Sequence, residues 1–274
     1  MTTIRSSGND PYRSLLRLCA SARERRRTGL TVIEGLHLAE AYLERHGELR
    51  SLFVPERALA LPEHAALIAR LGRAPLVLAD PLFERASQVG HGNGPLAVIA
   101  VPDPPLPERI EADALYLDRI QDPGNLGTIL RTCVAAGVAT VLLSPGATPA
   151  WSPKVLRAGM GAHFHLAIHE SVPAAALRER ATIGLLALRA RDAACLYDTD
   201  LRAPAVWLLG NEGGGLAEEL SALPGLRALA IPQAAGVESL NVATAAAVGL
   251  YEQLRQRRAD AGSCTVRHSA PDDR

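Results

Sequence analysis

The chain has 274 residues, 48% of them hydrophobic, and its 29 basic residues are matched by 29 acidic ones. That length supports one large core or two modest ones, with roughly 100–200 residues per domain favouring two. The balance of charge excludes a chain that announces a nucleic-acid partner by net charge, and no run of about 18 apolar residues exists to span a membrane. Four scattered cysteines, Cys19, Cys133, Cys195 and Cys264, have neither zinc-site spacing nor a disulfide framework. Residues 1–10 lack an apolar signal core, so a cytoplasmic location is the expectation.

Taken in order, Leu15, Leu16 and Leu18 mark a helix that runs into the basic stretch Arg23-Glu24-Arg25-Arg26-Arg27. Within the first thirty residues seven arginines face only Asp10 and Glu24, which makes this segment a phosphate-binding candidate, with a solvated helix end as the plain alternative. Lys154 is the only lysine, so the Arg excess also reflects compositional bias. A strand is expected over 30–34, a helix over 36–46, a strand over 51–54, a helix over 64–71, a strand over 76–78, a short helix over 81–87 and a strand over 96–101. Such alternation makes a small α/β layer domain of residues 1–101. Pro102, Pro104, Pro105 and Pro107 then stiffen a linker, placed at 102–110.

Beyond the linker, 114–117 reads as a buried strand, Pro123-Gly124 turns the chain, and Leu126, Ile129, Leu130, Cys133 and Val134 recur at helical spacing. Arg131 lies off that stripe, one turn beyond Gly127 and Thr128, facing a small, polar surface where a ligand can approach. The plain alternatives are a solvated arginine and, for Asn125, an ordinary helix N-cap. Strands are expected over 139–143, 165–168, 183–188, 205–209 and 229–231, with helices over 153–159, 174–180 and 239–258. A polar tail over 259–274 reads as disordered. If the stretch around 165–168 is a strand, His163, His165 and His169 share one face; without acidic or cysteine partners they do not make a metal site, and no metal is expected.

Three glycine- and polar-rich junctions stand at strand ends, at 123–125, 210–215 and 232–241. In an open α/β sheet ligands bind beyond the carboxyl ends of strands, so three such junctions point to one shared site. The 210–215 loop fits neither the dinucleotide spacing G-x-G-x-x-G nor a P-loop, and Glu212 would repel phosphate, so an adenosine or a cationic ligand suits it better.

These residues resemble a known family. Asp122-Pro123-Gly124-Asn125-Leu126-Gly127-Thr128 with Arg131, Leu209-Gly210-Asn211-Glu212-Gly213 with Gly215-Leu216, and Ile231-Pro232 with Ser239-Leu240-Asn241-Val242 look like the three motifs of the SpoU, or TrmH-like, RNA 2′-O-ribose methyltransferases. Trp151-Ser152-Pro153-Lys154 with Arg157 and Met160-Gly161-Ala162 resembles a further segment. The N-terminal part, with Ile33-Glu34-Gly35, is similar more loosely to that family's substrate-binding domain. The resemblance implies an α/β fold: a C-terminal trefoil-knotted methyltransferase domain of the SPOUT type over 111–258, preceded by a small α/β ribosomal-protein-like RNA-binding domain. It implies S-adenosylmethionine as cofactor, a homodimer built on the knotted domain, and an RNA substrate. The separate N-terminal module favours large-subunit ribosomal RNA over tRNA, since tRNA enzymes of the family commonly lack it. A non-catalytic RNA-binding protein on the same scaffold is the alternative of another class.

Carried over residue by residue, Gly210, Ile231 and Leu240 would contact the cofactor, and Asn125, Arg131, Glu212, Ser239 and Asn241 would form the catalytic polar set. Ala243 stands where many relatives have Ser. A guanidinium is a poor base, so Arg131 is expected to hold RNA phosphate and stabilise the developing alkoxide, with Glu212 or Asn125 orienting it.

Overall fold

The computed structural model describes residues 3–89, 92–190, 192–211 and 213–260. A short strand, β1 (Thr3–Ile4), leads to α1 (Asp10–Ala20), capped by the Asn9 side chain, which accepts from the Tyr12 amide. Ser21 ends α1 and caps α2 (Ala22–Thr28) through its hydroxyl, so the basic stretch forms a helix of its own rather than the end of the first. There follow β2 (Leu30–Glu34), α3 (Leu36–His46), β3 (Ser51–Pro55), α4 (Pro62–Leu71), β4 (Leu76–Leu78), α5 (Asp80–Ala86) and β5 (Leu96–Ala100). The five strands form one sheet in the order β1-β4-β3-β5-β2, with β5 antiparallel to β2 and β3.

Residues 101–109 carry no regular structure, as the prolines dictate, and Ile110 makes an isolated bridge to Ala181. The second half then runs β6 (Ala114–Leu117), α6 (Pro123–Ala136), β7 (Thr140–Leu143), α7 (Pro153–Gly159), β8 (Ala167–His169), α8 (Ala174–Arg180), β9 (Gly184–Arg189), β10 (Ala194–Cys195), β11 (Ala205–Leu209), α9 (Glu218–Ser221), β12 (Leu226–Ala230) and α10 (Val242–Asp260). Its sheet has the order β10-β12-β9-β11-β6-β7-β8, and every pairing is parallel. The central strands β6 and β11 are buried along their whole length, which is why they read as unbroken apolar runs. At the C-terminus α10 continues through the first two residues of the expected tail; residues 261–274 lie outside the described residues.

The two sheets are not separate bodies on a spacer. One apolar cluster contains Ile33, Leu38 and Tyr42 from the first half and Trp151, Ala162 and Phe164 from the second. Thr31 donates its hydroxyl to the Trp151 carbonyl at 2.6 Å, Arg157 donates to the Gln88 carbonyl at 3.3 Å, and Tyr42 meets Phe164 edge to face with centroids 5.3 Å apart. Full burial of one such aromatic contributes roughly 1.5–3 kcal/mol, so the contact fixes the first unit against the second.

Candidate active site

Because the second sheet is parallel throughout, the loops that follow β6, β9, β11 and β12 all leave by the same edge. Register sets them side by side: Leu117 pairs with Leu209, and Arg189 with Ala230. Behind these ends lies a cleft of about 600 Å³, within the roughly 300–1,000 Å³ of small-ligand sites. Its walls include Gly210, Ile231, Ser239 and Leu240, so all three expected cofactor residues and one of the expected catalytic residues meet in one place. Leu188, Leu209 and Val242 add apolar surface, and Asn211, Gln233 and Glu218 add polar groups. A cleft whose walls mix apolar side chains with polar groups fits an adenosine-bearing cofactor.

The loop after β11 closes on itself. Asn211 and Gly215 exchange both backbone hydrogen bonds, at 3.1 and 2.9 Å, and the Asn211 carboxamide accepts from the Gly213 amide at 2.8 Å. Gly215 adopts a left-handed φ of +63°, and Gly210 has no room for a side chain: a Cβ there would stand 2.5 Å from the Gly215 carbonyl oxygen and closer still to backbone atoms of Gly215 and Leu216. The loop is anchored below by Asp118, 2% exposed at the end of β6. Its carboxylate accepts from the Ser144 hydroxyl, from the Ala217 amide and from Nε and Nη2 of Arg119, while Arg119 offers its carbonyl to Asn211 Nδ2 at 2.8 Å. Those bonds raise the Arg119 guanidinium above its usual value.

Asp122, not Asn125, is the N-cap of α6: its side chain accepts from the Asn125 amide at 2.7 Å, and Pro123 takes the first helical position. The Asn125 carboxamide instead reaches across the chain, where its Oδ1 accepts from Asn241 Nδ2 at 2.9 Å. The Asn241 Oδ1 in turn accepts from the amides of Ala243 and Thr244 and so caps α10. Thus two expected catalytic residues tie together the first turns of α6 and α10, directly beside Leu240 and Val242 of the cleft. Arg131 lies about 9 Å further along α6 at 1.5 Å per residue, exposed, with no hydrogen bond or ion pair among the described residues, and hence no bond to Asn125. Its expected small, polar surround is corrected in one respect: Gly127 is buried, because α6 and α7 approach so closely that a Cβ there would lie 2.7 Å from the Ala158 carbonyl carbon. Glu212 lies outside the described residues.

Residues 113–251 match the SpoU rRNA Methylase family. The chain belongs to this family. Among curated relatives, an uncharacterized tRNA/rRNA methyltransferase of Synechocystis sp. is 34% identical over 92% of this chain and 93% of its own length. The 23S rRNA (guanosine(2553)-2′-O)-methyltransferase RlmP of Bacillus subtilis is 29% identical over 92% of this chain and 98% of its own. Among solved structures, an AdoMet-bound rRNA methyltransferase from Sinorhizobium meliloti superposes with a TM-score of 0.80 at 27% identity, covering 93% of this chain and 97% of that one. The fold is that of the SpoU methyltransferases.

Other residues of this SpoU chain settle into structural places. His163 belongs to a 3-10 turn (Ala162–His165) and His169 to β8, so the three histidines do not share a strand face. His163 is buried against Gly159 with Nε2 3.0 Å from the Ala150 carbonyl, and burial pushes its imidazole down to about 4. In the basic stretch, Arg25 is buried and donates to the Leu18 carbonyl at 2.7 Å, while Arg27 pairs with Glu24; only Arg23 and Arg26 stay exposed without a hydrogen bond or ion pair among the described residues. Sequence reasoning missed Asp118, Ser144 and Gln233. For Asp118 a signal was present: an acid directly after a fully apolar strand, at a sheet edge where loops converge.

Proposed function

We propose that this protein methylates a ribose 2′-hydroxyl of ribosomal RNA, in the large subunit, with S-adenosylmethionine as methyl donor. The observation that carries the reading is the cleft itself: the strand-end segments of a SpoU chain line a cleft of mixed apolar and polar walls, and the Asn125–Asn241 pair stands beside its Leu240 and Val242. The cofactor supplies an electrophilic methyl on a sulfonium centre. The backbone at Gly210 and the side chains of Ile231 and Leu240 hold its adenosine. With the cofactor held there, the cleft border would have to present the ribose oxygen in line with that methyl and leave its proton a path to solvent. Arg131, on the outer face of α6 with no hydrogen bond or ion pair among the described residues, takes the RNA phosphate and stabilises negative charge on the attacking oxygen; a guanidinium offers donors and no acceptor, so it is not the base. Ser239, at the cleft wall, and Asn125 orient the ribose.

The five-stranded unit adds RNA affinity through Arg23 and Arg26. A homodimer formed by the second half, in the cytoplasm, completes the proposal; Tyr251, half exposed on α10, offers apolar surface for it. The relatives acting on 23S rRNA at ribose support the choice of RNA.

Mapping ribose methylation across total RNA from cells with and without the gene tests the reading. Loss of one large-subunit mark is expected. A missing mark confined to tRNA overturns the ribosomal assignment, and no missing mark overturns the catalytic one.

A further inference from the structure

Arg119 is the second residue past β6 and belongs to none of the site residues the resemblance implies. Its φ of +52° is a left-handed conformation that a non-glycine residue keeps only where its surroundings hold it. Three bonds hold it here: its amide donates to the Ser144 hydroxyl at 2.8 Å, and its carbonyl accepts from Asn211 Nδ2 at 2.8 Å and Gln121 Nε2 at 3.0 Å. The guanidinium is held as firmly. Its Nε and Nη2 meet the two oxygens of Asp118 at 3.1 and 3.0 Å, a planar fork on a carboxylate that is itself 3% exposed, and Nη2 also reaches the Gly215 carbonyl at 3.4 Å. Yet the Arg119 side chain is 44% exposed, and among the described residues Nη1 forms no bond and no aromatic ring covers the plane.

We propose that Arg119 carries a nucleobase of the substrate RNA, stacked on its guanidinium plane beside the nucleotide that is methylated. This rests on the RNA methyltransferase reading above. Because β6 lies between β11 and β7, Arg119 stands between the 210–215 loop, a wall of the cleft, and the 144–152 loop, which runs to the bond between Trp151 and Thr31 of the first unit. RNA held by the first unit and reaching the cleft passes over this edge. Arg119 is not itself on the cleft walls, so its partner is the substrate rather than the cofactor. Charge selects a base over a phosphate. Asp118 already neutralises the guanidinium and Glu219 adds a second negative charge acting on it, so the spot disfavours an anion, whereas stacking needs a plane and no net charge. Stacking also uses the face of the guanidinium and breaks none of its bonds. A nucleotide splayed out towards the cleft loses neighbours in the RNA stack, and in a chain with 4% aromatic residues an arginine plane replaces one of them.

Steady-state methyl transfer by the whole protein to large-subunit ribosomal RNA transcribed in vitro tests the assignment. Arg119→Lys keeps a positive charge beside Asp118 and loses the plane; the KM for RNA rises roughly tenfold, the size of one base stack, with kcat within about twofold of wild type. Arg119→Gln removes the charge, and kcat/KM falls while its salt dependence keeps the wild-type slope, because no phosphate contact is lost. Calorimetry with S-adenosylhomocysteine gives wild-type affinity in Arg119→Lys, since the bonds to Ser144 and Asn211 run through the Arg119 backbone. A wild-type KM in Arg119→Lys overturns the assignment, and a shallower slope in Arg119→Gln overturns it in favour of a phosphate contact. Loss of S-adenosylhomocysteine affinity in Arg119→Lys, in step with the effect on RNA, overturns it in favour of a structural role. All three leave the methyltransferase reading standing. Wild type that binds S-adenosylhomocysteine but transfers no methyl to this RNA overturns the ribosomal reading and the assignment together.

Discussion

Replacing Gly210 by alanine puts one methyl group where the structure has backbone. The added Cβ would lie 2.5 Å from the Gly215 carbonyl oxygen and nearer to the Gly215 carbonyl carbon and the Leu216 nitrogen. None of these is the movable end of a side chain, so relief requires the 211–215 loop to shift, breaking its paired Asn211–Gly215 hydrogen bonds or lifting Ala217 from Asp118. Overpacking of this kind costs about 1–3 kcal/mol, and because the loop is a wall of the cleft the same displacement appears as a roughly 5- to 150-fold loss of affinity for S-adenosylhomocysteine. Gly214→Ala in the same loop is the control: a Cβ there meets nothing within 4 Å and its φ is not left-handed. Isothermal calorimetry on both variants, with circular dichroism to verify folding, makes the comparison. Wild-type affinity in Gly210→Ala, or an equal loss in both, would refute the reasoning.

Three further outcomes follow from the geometry. Asn241→Ala removes the cap of α10 and the bond to Asn125 and lowers stability by about 2 kcal/mol in urea unfolding, whereas Asn241→Asp keeps the capping oxygen and loses roughly half as much; equal losses would show that the tie to α6 and the cap cannot be separated in this way. Arg131→Ala retains S-adenosylhomocysteine affinity but slows methyl transfer roughly 100- to 1,000-fold, and Arg131→Lys recovers little because a point charge lacks the planar fork; near-normal turnover in either would remove Arg131 from the reaction. His163 is neutral in the folded chain, its imidazole at about 4 against an ordinary 6.5. Unfolded chains therefore bind the proton first, so this group's contribution is complete above about pH 6.5 and is lost as pH falls towards 4, up to roughly 3 kcal/mol. His163→Gln should flatten the melting temperature over that range, and an unaltered pH profile would exclude His163 as its source.

Most elements were legible because burial on both faces leaves long apolar runs: residues 30–34, 114–117 and 205–209 are strands with the expected bounds. The errors have local physical causes. Asp122 and Asn125 are both good caps, and only Pro123, fixed for a first helical position, decides between them. Periodicity gives the apolar face of α6 but not the distance to its neighbour, so Gly127 looked like open surface when it packs against the α7 backbone with no room for a side chain. Residues 163–169 alternate as a strand would, yet a turn of 3-10 helix takes the first three. Prolines mark where the chain lacks regular structure, but they are silent about packing; Trp151 and Phe164, which join the two halves, carry no mark of their partner in the sequence.

The polar residues at the strand ends divide according to whether the fold already uses them. Asp118 accepts four hydrogen bonds, and Asn241 makes three: two at the start of α10 and one to Asn125. Side chains so occupied hold loops in position and cannot turn to a substrate without releasing them. Arg131 and Ser239, both exposed, have no hydrogen bond or ion pair among the described residues, although each stands beside segments that are themselves tightly bonded. An unpaired group on a rigid support meets a ligand without first breaking a bond, and the support lets it do so in one geometry. The family motifs mix the two kinds, which is why resemblance places Asn241 and Arg131 in one set while hydrogen bonding separates them: Asn241 holds the first turns of α6 and α10 together, and the role proposed for Arg131 would take nothing from the fold.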